Sequence, residues 1–252
     1  TPIVIPLVAA FGLTMPKTSS RAITSAAGTA DVMEVFARVD LSLAEMRNVV
    51  RATGACIAWN GRLTHSPVDD VMNAINRPLG LASTLLDVSS IISKKLAAGS
   101  THVLIDLPVG PQAKTATRQE AEALKQLFET VGTGAGINTR VNLADGTRPI
   151  GRGIGPVLEA IDVFAVLSNA PDAPHDLEEK ALAYAGLLIE WGGGAAAGSG
   201  CAVAQGLLRS GKALAKFEEI VRHQSPGHTA PLEAALVPGQ FTWEMTAERA
   251  GR

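Results

Sequence analysis

Hydrophobic residues along this chain recur in two rhythms. ACIAW (55–59), HVLIDLPVG (102–110) and GINTRVNLAD (136–145) are short β-rich runs, of the length expected for strands. Around them, apolar positions repeat at helical spacing in TADVMEVFARV, LAEMRNVVRATG (closing at Gly54), RQEAEALKQLFETVG and GPVLEAIDVFAVL. Further helices are predicted near 176–190, 200–209 and 211–223. Residues 2–11 are apolar enough for a buried helix or strand, and 12–16 lead into a loop. Strands alternating with helices of ten or more residues predict an α/β protein, mainly a parallel sheet flanked by helices. Two helical patterns in succession, VDDVMNAI and LASTLLDVSSIISKKLAAG within 68–98, break the rhythm as an excursion from the sheet layer. No further strand pattern follows residue 145 until QFTWEM at 240–245.

Composition narrows the function classes. The 252 residues are 46% hydrophobic and 18% charged with a formal net charge of -2, which describes a soluble globular chain with a sizeable core and not a basic nucleic-acid binder. Cys56 and Cys201 form neither a disulfide framework nor a metal spacing, so a reducing, cytoplasmic setting is expected. No apolar run approaches the roughly 20 residues of a membrane span, and no basic segment opens a secretory signal. The ends, TPIVIPLVAA and MTAERAGR, read as cuts, and the chain as a fragment of a longer polypeptide.

Candidate chemistry gathers first in KTSSRAITSAAGTADVME (17–34). Thr29 before Ala30 and Asp31 is a good N-cap, and a helix start offers unsatisfied donors to an anion. Ser19, Ser20, Thr24, Ser25 and Thr29 supply hydroxyls, and Arg21 a planar fork suited to phosphate. The same residues also suit an ordinary capped helix after a polar loop. In LASTLLDVSSIISKK, Leu81, Leu85, Val88, Ile92 and Leu96 form an apolar stripe, while Ser83, Asp87, Ser90 and Lys94 share another face. That face is either solvated or directs a serine and ammonium pair at a polar heterocycle. GRGIGP (151–156) and GGGAAAGSG (192–200) match neither nucleotide-loop fingerprint and read as turns and helix punctuation. The histidines at 65, 102, 175, 223 and 228 have no metal spacing, and no Gly-x-Ser-x-Gly elbow is present.

SSRAITSAAGTADVMEV resembles the hydroxyl-rich loop of the thymidine phosphorylase family, the type II nucleoside phosphorylases, and is especially similar to the branch that includes AMP phosphorylases. The likeness continues in the same order through NAINRPLGLASTLLDVSSIISKKLAAG, VLIDLPVGPQAK and GINTRVNLADGTRPIGRGIGPVLEA. It implies a central α/β phosphate-binding domain at 1–67 and 99–240, an excursion at 68–98 belonging to a small helical domain, and the start of a C-terminal domain at 241–252. Ser19 and Thr29 match positions that bind inorganic phosphate, with Arg21 beside them. Arg77, Ser90 and Lys94 match the trio that holds the nucleobase.

The activity this implies is reversible phosphorolysis of a pyrimidine nucleoside to free base and (deoxy)ribose 1-phosphate. Phosphate is then a co-substrate, no metal or organic cofactor takes part, and the full-length protein is a homodimer. Lys94 and Arg77 would stabilise charge developing on the base, Ser90 would fix the ring, and the loop would position the nucleophile. The family's main phosphate motif and the catalytic histidine of the thymidine enzymes belong upstream of Thr1, so this fragment alone is expected to be inactive. Lys114 in VGPQAK suits either a surface position or a substrate 5'-phosphate. The latter implies a nucleoside monophosphate as substrate and ribose 1,5-bisphosphate as product. Two rivals are an anthranilate-type phosphoribosyltransferase, whose acidic metal-diphosphate motif is not plainly present, and a non-catalytic phosphate-binding remnant.

Overall fold

A computed structural model describes residues 1–22, 25–62, 84–247 and 249. The apolar N-terminal run is a helix, α1 (Val4–Phe11), ending at Gly12 with φ 112°. Pro6 lies in its first turn, where a missing N–H costs no helical bond. Every residue from Val4 to Ala9 is buried, because helices later in the chain close around α1 from several sides. Those helices, α7 (His175–Trp191), α8 (Gly200–Arg209) and α9 (Lys212–Gln224), lie close to the stretches that helical periodicity predicts.

All strand pairing is parallel, but the described strands form two sheets of two. β1 (Met15–Ser19) pairs with β2 (Ala55–Trp59), with Lys17 opposite Ile57 and Ser19 opposite Trp59. β3 (His102–Val109) pairs with β4 (Asn138–Asp145), with Asp106 opposite Asn142. β1 occupies the segment read from sequence as loop: Pro16, Lys17 and Thr18 carry no strand pattern, and pairing with the apolar β2 overrides their weak preference. Between β1 and β2 run α2 (Thr29–Glu34) and α3 (Leu43–Thr53). Ser42 caps α3, and Gly54 ends it with φ 79°.

The two sheets have separate cores. Ile5, Leu7, Met33, Ile57, Leu167, Ile189 and Phe217 belong to the larger, built around α1 and β2. Val88 and Ile92 pack with Val103, Leu107, Ala121 and Phe128 in the smaller. Val88 and Ile92 belong to α4 (Thr84–Ala97), so the described helix of the expected excursion covers the β3–β4 sheet together with α5 (Arg118–Gly134). Leu85 and Leu96, expected on the buried stripe, are 62% and 51% exposed. QFTWEM forms no strand: its segment is unpaired, with Phe241, Trp243 and Met245 almost fully exposed.

Helix α7 joins the two units. Tyr184 donates its hydroxyl to Asp106 Oδ1 at 2.7 Å and accepts from Asn142 Nδ2 at 2.6 Å. Lys180 Nζ lies 2.9 Å from the other Asp106 oxygen. At the end of the helix Trp191 packs under Arg140, 4.4 Å from its ring centre, and edge-on to His102.

Candidate functional site

The hydroxyl-rich loop leaves β1 at Ser19 and enters α2 at Thr29. A helical break at Glu34 and the cap at Gly28 make α2 only six residues long. Gly28 is the cap and Thr29 the first helical residue, one position earlier than the sequence suggests. Asp31 explains the shift: its Oδ2 accepts from Gly28 N at 2.9 Å and from Ala22 N at 2.7 Å. The carboxylate of this first-turn residue thus reaches back to the amide of the cap itself, the reciprocal half of a capping box.

The loop folds back on itself at Gly28. A Cβ there would lie 2.5 Å from Ser20 O and 2.6 Å from the Arg21 carbonyl carbon, closer than any side chain tolerates. Glycine is therefore required for the crossing, and the crossing sets Ser19 and Thr29 on its two flanks. Both are half-buried. Arg21 is engaged by carboxylates: it contacts Asp31 Oδ1 at 3.1 Å and Glu34 Oε1 at 2.7 Å, and its guanidinium stacks over Trp59 at 5.0 Å. Burial raises the Asp31 pKa, but the Gly28 and Ala22 amides and Arg21 outweigh it and hold the carboxyl below its usual range. Thr24 lies outside the described residues.

Helix α6 (Pro156–Leu167) begins at GRGIGP and packs on α2. Asp162, only 5% exposed at its side chain, accepts from Arg152 N at 2.6 Å and Gly153 N at 2.7 Å and pairs with the Arg152 guanidinium. The glycine loop is clasped by its own helix, as punctuation requires. GGGAAAGSG likewise closes α7 and opens α8, with Glu190 accepting from Gly200 N at 2.6 Å. Neither loop presents a nucleotide cradle.

On α4, Ser90 and Lys94 stand one turn apart, both half-buried, on a face distinct from Val88 and Ile92. Arg77 and Ser83 lie outside the described residues, as does His65. Lys114 is exposed in the tight turn after β3, which is closed by a Gly110 N to Thr115 O bond of 3.1 Å. Ser19 thus ends β1 and Lys114 follows β3, at the C-terminal end of parallel strands where ligands collect.

A cavity of about 860 Å³ lies elsewhere, between the opening halves of β1 and β3. None of Ser19, Thr29, Ser90, Lys94 or Lys114 lines it; Lys17 and Lys95 do. Burial, with Lys95 nearby, pulls the Lys17 pKa from 10.5 down to about 8. Neither lysine is marked in the sequence: Lys17 joins a strand only by pairing with the distant β2, and Lys95 stands beside Lys94 on α4 with no spacing that sets it apart.

The model of the glycosyl transferase family, a/b domain, matches residues 3–214. Over its whole length the chain is 65% identical to the bifunctional ribose 1,5-bisphosphokinase-thymidine phosphorylase of Roseobacter denitrificans, covering 36% of that protein. It is 59% identical to the protein of the same name from Cupriavidus necator, covering 41%. The chain therefore spans well under half the length of these curated relatives. Among solved structures, anthranilate phosphoribosyltransferase (TrpD) from Thermus thermophilus superposes with a TM-score of 0.69 at 17% identity, covering 88% of this chain and 72% of that one. That likeness concerns the fold alone, the parallel α/β architecture flanked by helices. With residues 3–214 matched to its model, this chain belongs to the glycosyl transferase family, as an α/β domain.

Proposed function

We propose that this chain carries the α/β part of a thymidine phosphorylase-type pentosyltransferase site. In the reaction, inorganic phosphate attacks the anomeric carbon of a pyrimidine nucleoside, the N-glycosidic bond breaks, and base and (deoxy)ribose 1-phosphate are released. The observation that carries this reading is the folded-back loop, in which Gly28, the neighbour of Thr29, packs on the backbone of Ser20 and Arg21, the residues that follow Ser19.

The roles follow from the charge that moves. Ser19 and Thr29 donate to phosphate oxygens and hold the nucleophile in place, replacing a bimolecular encounter by a positioned one. Lys94, with Arg77, stabilises the negative charge that the base acquires as it leaves, and Ser90 orients its ring. Arg21, already engaged by Asp31 and Glu34, shapes the loop and leaves the anion to the hydroxyls. The reaction is a displacement at carbon without redox change, so no cofactor is assigned. The family resemblance extends the reading to a homodimeric, cytoplasmic enzyme.

The full-length parent protein, assayed with thymidine or uridine and phosphate, tests this. Ser19→Ala and Thr29→Ala are each expected to raise the KM for phosphate about tenfold or more, the loss of one hydrogen bond to a charged group. An unchanged phosphate KM in both variants overturns the assignment.

A second reading has one observation in its favour. The shared name of the relatives includes a kinase for ribose 1,5-bisphosphate, the sugar that phosphorolysis of a nucleoside 5'-monophosphate would leave. Lys114 is then the cation for the 5'-phosphate. Faster turnover of AMP or CMP than of thymidine, lost in Lys114→Ala, selects this reading; no turnover of either nucleotide removes it.

A further inference from the structure

One carboxylate holds both arms of the hydroxyl loop. Asp31 Oδ2 accepts from Ala22 N at 2.7 Å, shortly after Ser19, and from Gly28 N at 2.9 Å, immediately before Thr29. A single oxygen thus closes the chain between residues 22 and 28. Closing a loop costs conformational entropy, and the two amide bonds offset that cost in the folded protein, before any ligand arrives.

The other oxygen fastens the loop to the sheet. Asp31 Oδ1 accepts from Arg21 at 3.1 Å, Glu34 on the same helix holds the same guanidinium, and that guanidinium lies over Trp59, 5.0 Å from its ring centre. Trp59 is the last residue of β2 and stands opposite Ser19 in the strand register. Its ring packs on Gly61, where a Cβ would lie 2.0 Å away. The contacts from Asp31 through Arg21 to Trp59 therefore lead back to the strand end that carries Ser19.

We propose that Asp31 is a positioning residue for phosphate: by stapling Ala22 to Gly28 it fixes the backbone that carries Ser19 and Thr29 before the anion binds, acting through the loop and not on the substrate. The inference rests on the phosphate role given to those two hydroxyls above. Preorganised donors bind more tightly because less ordering is left to the binding step. Side-chain chemistry separates the staple from the charge. Asparagine offers one oxygen in place of Oδ2, which can accept from both amides, and gives up only the bond to Arg21, which Glu34 still holds. Alanine gives up the staple altogether.

The full-length parent, assayed with phosphate and the nucleoside or nucleotide it turns over, tests this together with hydrogen exchange of the segment 17–34. Asp31→Ala is expected to raise the phosphate KM about tenfold or more, with the KM of the other substrate within about twofold, and to speed exchange of the segment about tenfold or more. Asp31→Asn is expected to stay within about threefold of the parent in phosphate KM and to keep the slow exchange. If Asp31→Ala does not fold, Asp31→Ser, whose oxygen is one bond too short to bridge Ala22 and Gly28, carries the same expectation. An unchanged phosphate KM in Asp31→Ala while Ser19→Ala raises it overturns the positioning role. So does a rise of both KM values alike, the mark of general structural damage, or an equal loss in Asp31→Asn and Asp31→Ala. An unchanged phosphate KM in Asp31→Ala, Ser19→Ala and Thr29→Ala together, with exchange still faster in Asp31→Ala, removes the phosphate reading of the loop and this inference with it.

Discussion

Tyr184 donates its hydroxyl to Asp106 across 2.7 Å, from the middle of α7 to the middle of β3. Burial, together with the accepting carboxylate, pushes the phenol's pKa up, so the group stays a donor throughout the usual pH range. Asn142 completes the chain of bonds by donating to the same oxygen. Tyr184→Phe keeps the ring's packing, removes both bonds, and leaves Asp106 to Lys180. The expected loss is about 1 to 2 kcal/mol of unfolding free energy, read as a lower urea midpoint with an unchanged m value.

Gly28→Ala tests the loop crossing. The added methyl would lie 2.5 Å from Ser20 O and 2.6 Å from the Arg21 carbonyl carbon, both backbone atoms that have little room to retreat. A destabilisation of about 1 to 3 kcal/mol is expected. In the full-length parent the same change should raise the phosphate KM more than the nucleoside KM, because it pries Ser19 from Thr29. Equal effects on both constants would detach the loop from phosphate.

Gln224 is fully buried in α9. Its Oε1 accepts from Ile57 N at 2.8 Å, and its Nε2 donates to Arg38 O at 2.9 Å and Ile57 O at 3.0 Å. It therefore satisfies the outer edge of β2, where no strand follows among the described residues. Gln224→Leu leaves a buried amide and two carbonyls unpaired and should cost about 2 to 3 kcal/mol. Thermal denaturation of the variant checks this.

Lys17 makes stability depend on pH. Its folded pKa is about 8 against 10.5 in the unfolded chain, so between those values the unfolded state holds the extra proton. Stability therefore rises with pH through that window. Cys56 opposes it above pH 9, because burial pushes its thiol from 9.0 to about 11 and the unfolded state loses that proton first. The clean window is pH 8 to 9. Lys17→Met should reduce the rise in urea midpoint between those two values, with the remainder coming from Lys95, which burial also pulls down, and Cys56→Ala should extend it upward.

The element types were readable because helix and strand patterns are local. Val49, Gly54 and the Ser42 cap define α3 within a few turns of chain, and the alternating or continuous apolar runs of β2, β3 and β4 stand out in any window of eight residues. β1 escaped this reading because Pro16, Lys17 and Thr18 become a strand only against β2, about 40 residues later in register. The helix starts one residue before the position that Thr29 marks in the sequence, because the carboxylate of Asp31 reaches back to the amides of Gly28 and Ala22.

The hydroxyls of the loop, the Ser90 and Lys94 pair and the family resemblance were all present in the order of residues alone. They depend on spacing within one turn or one motif, which neighbouring residues control. The bond between Tyr184 and Asp106, 78 residues apart, the Gln224 cap on β2, the turning of Arg21 onto Asp31 and Glu34, and the cleft with its two lysines came with the folded chain. Each requires distant segments to meet and shed water, and the free energy of that meeting rests on contacts that no local window contains.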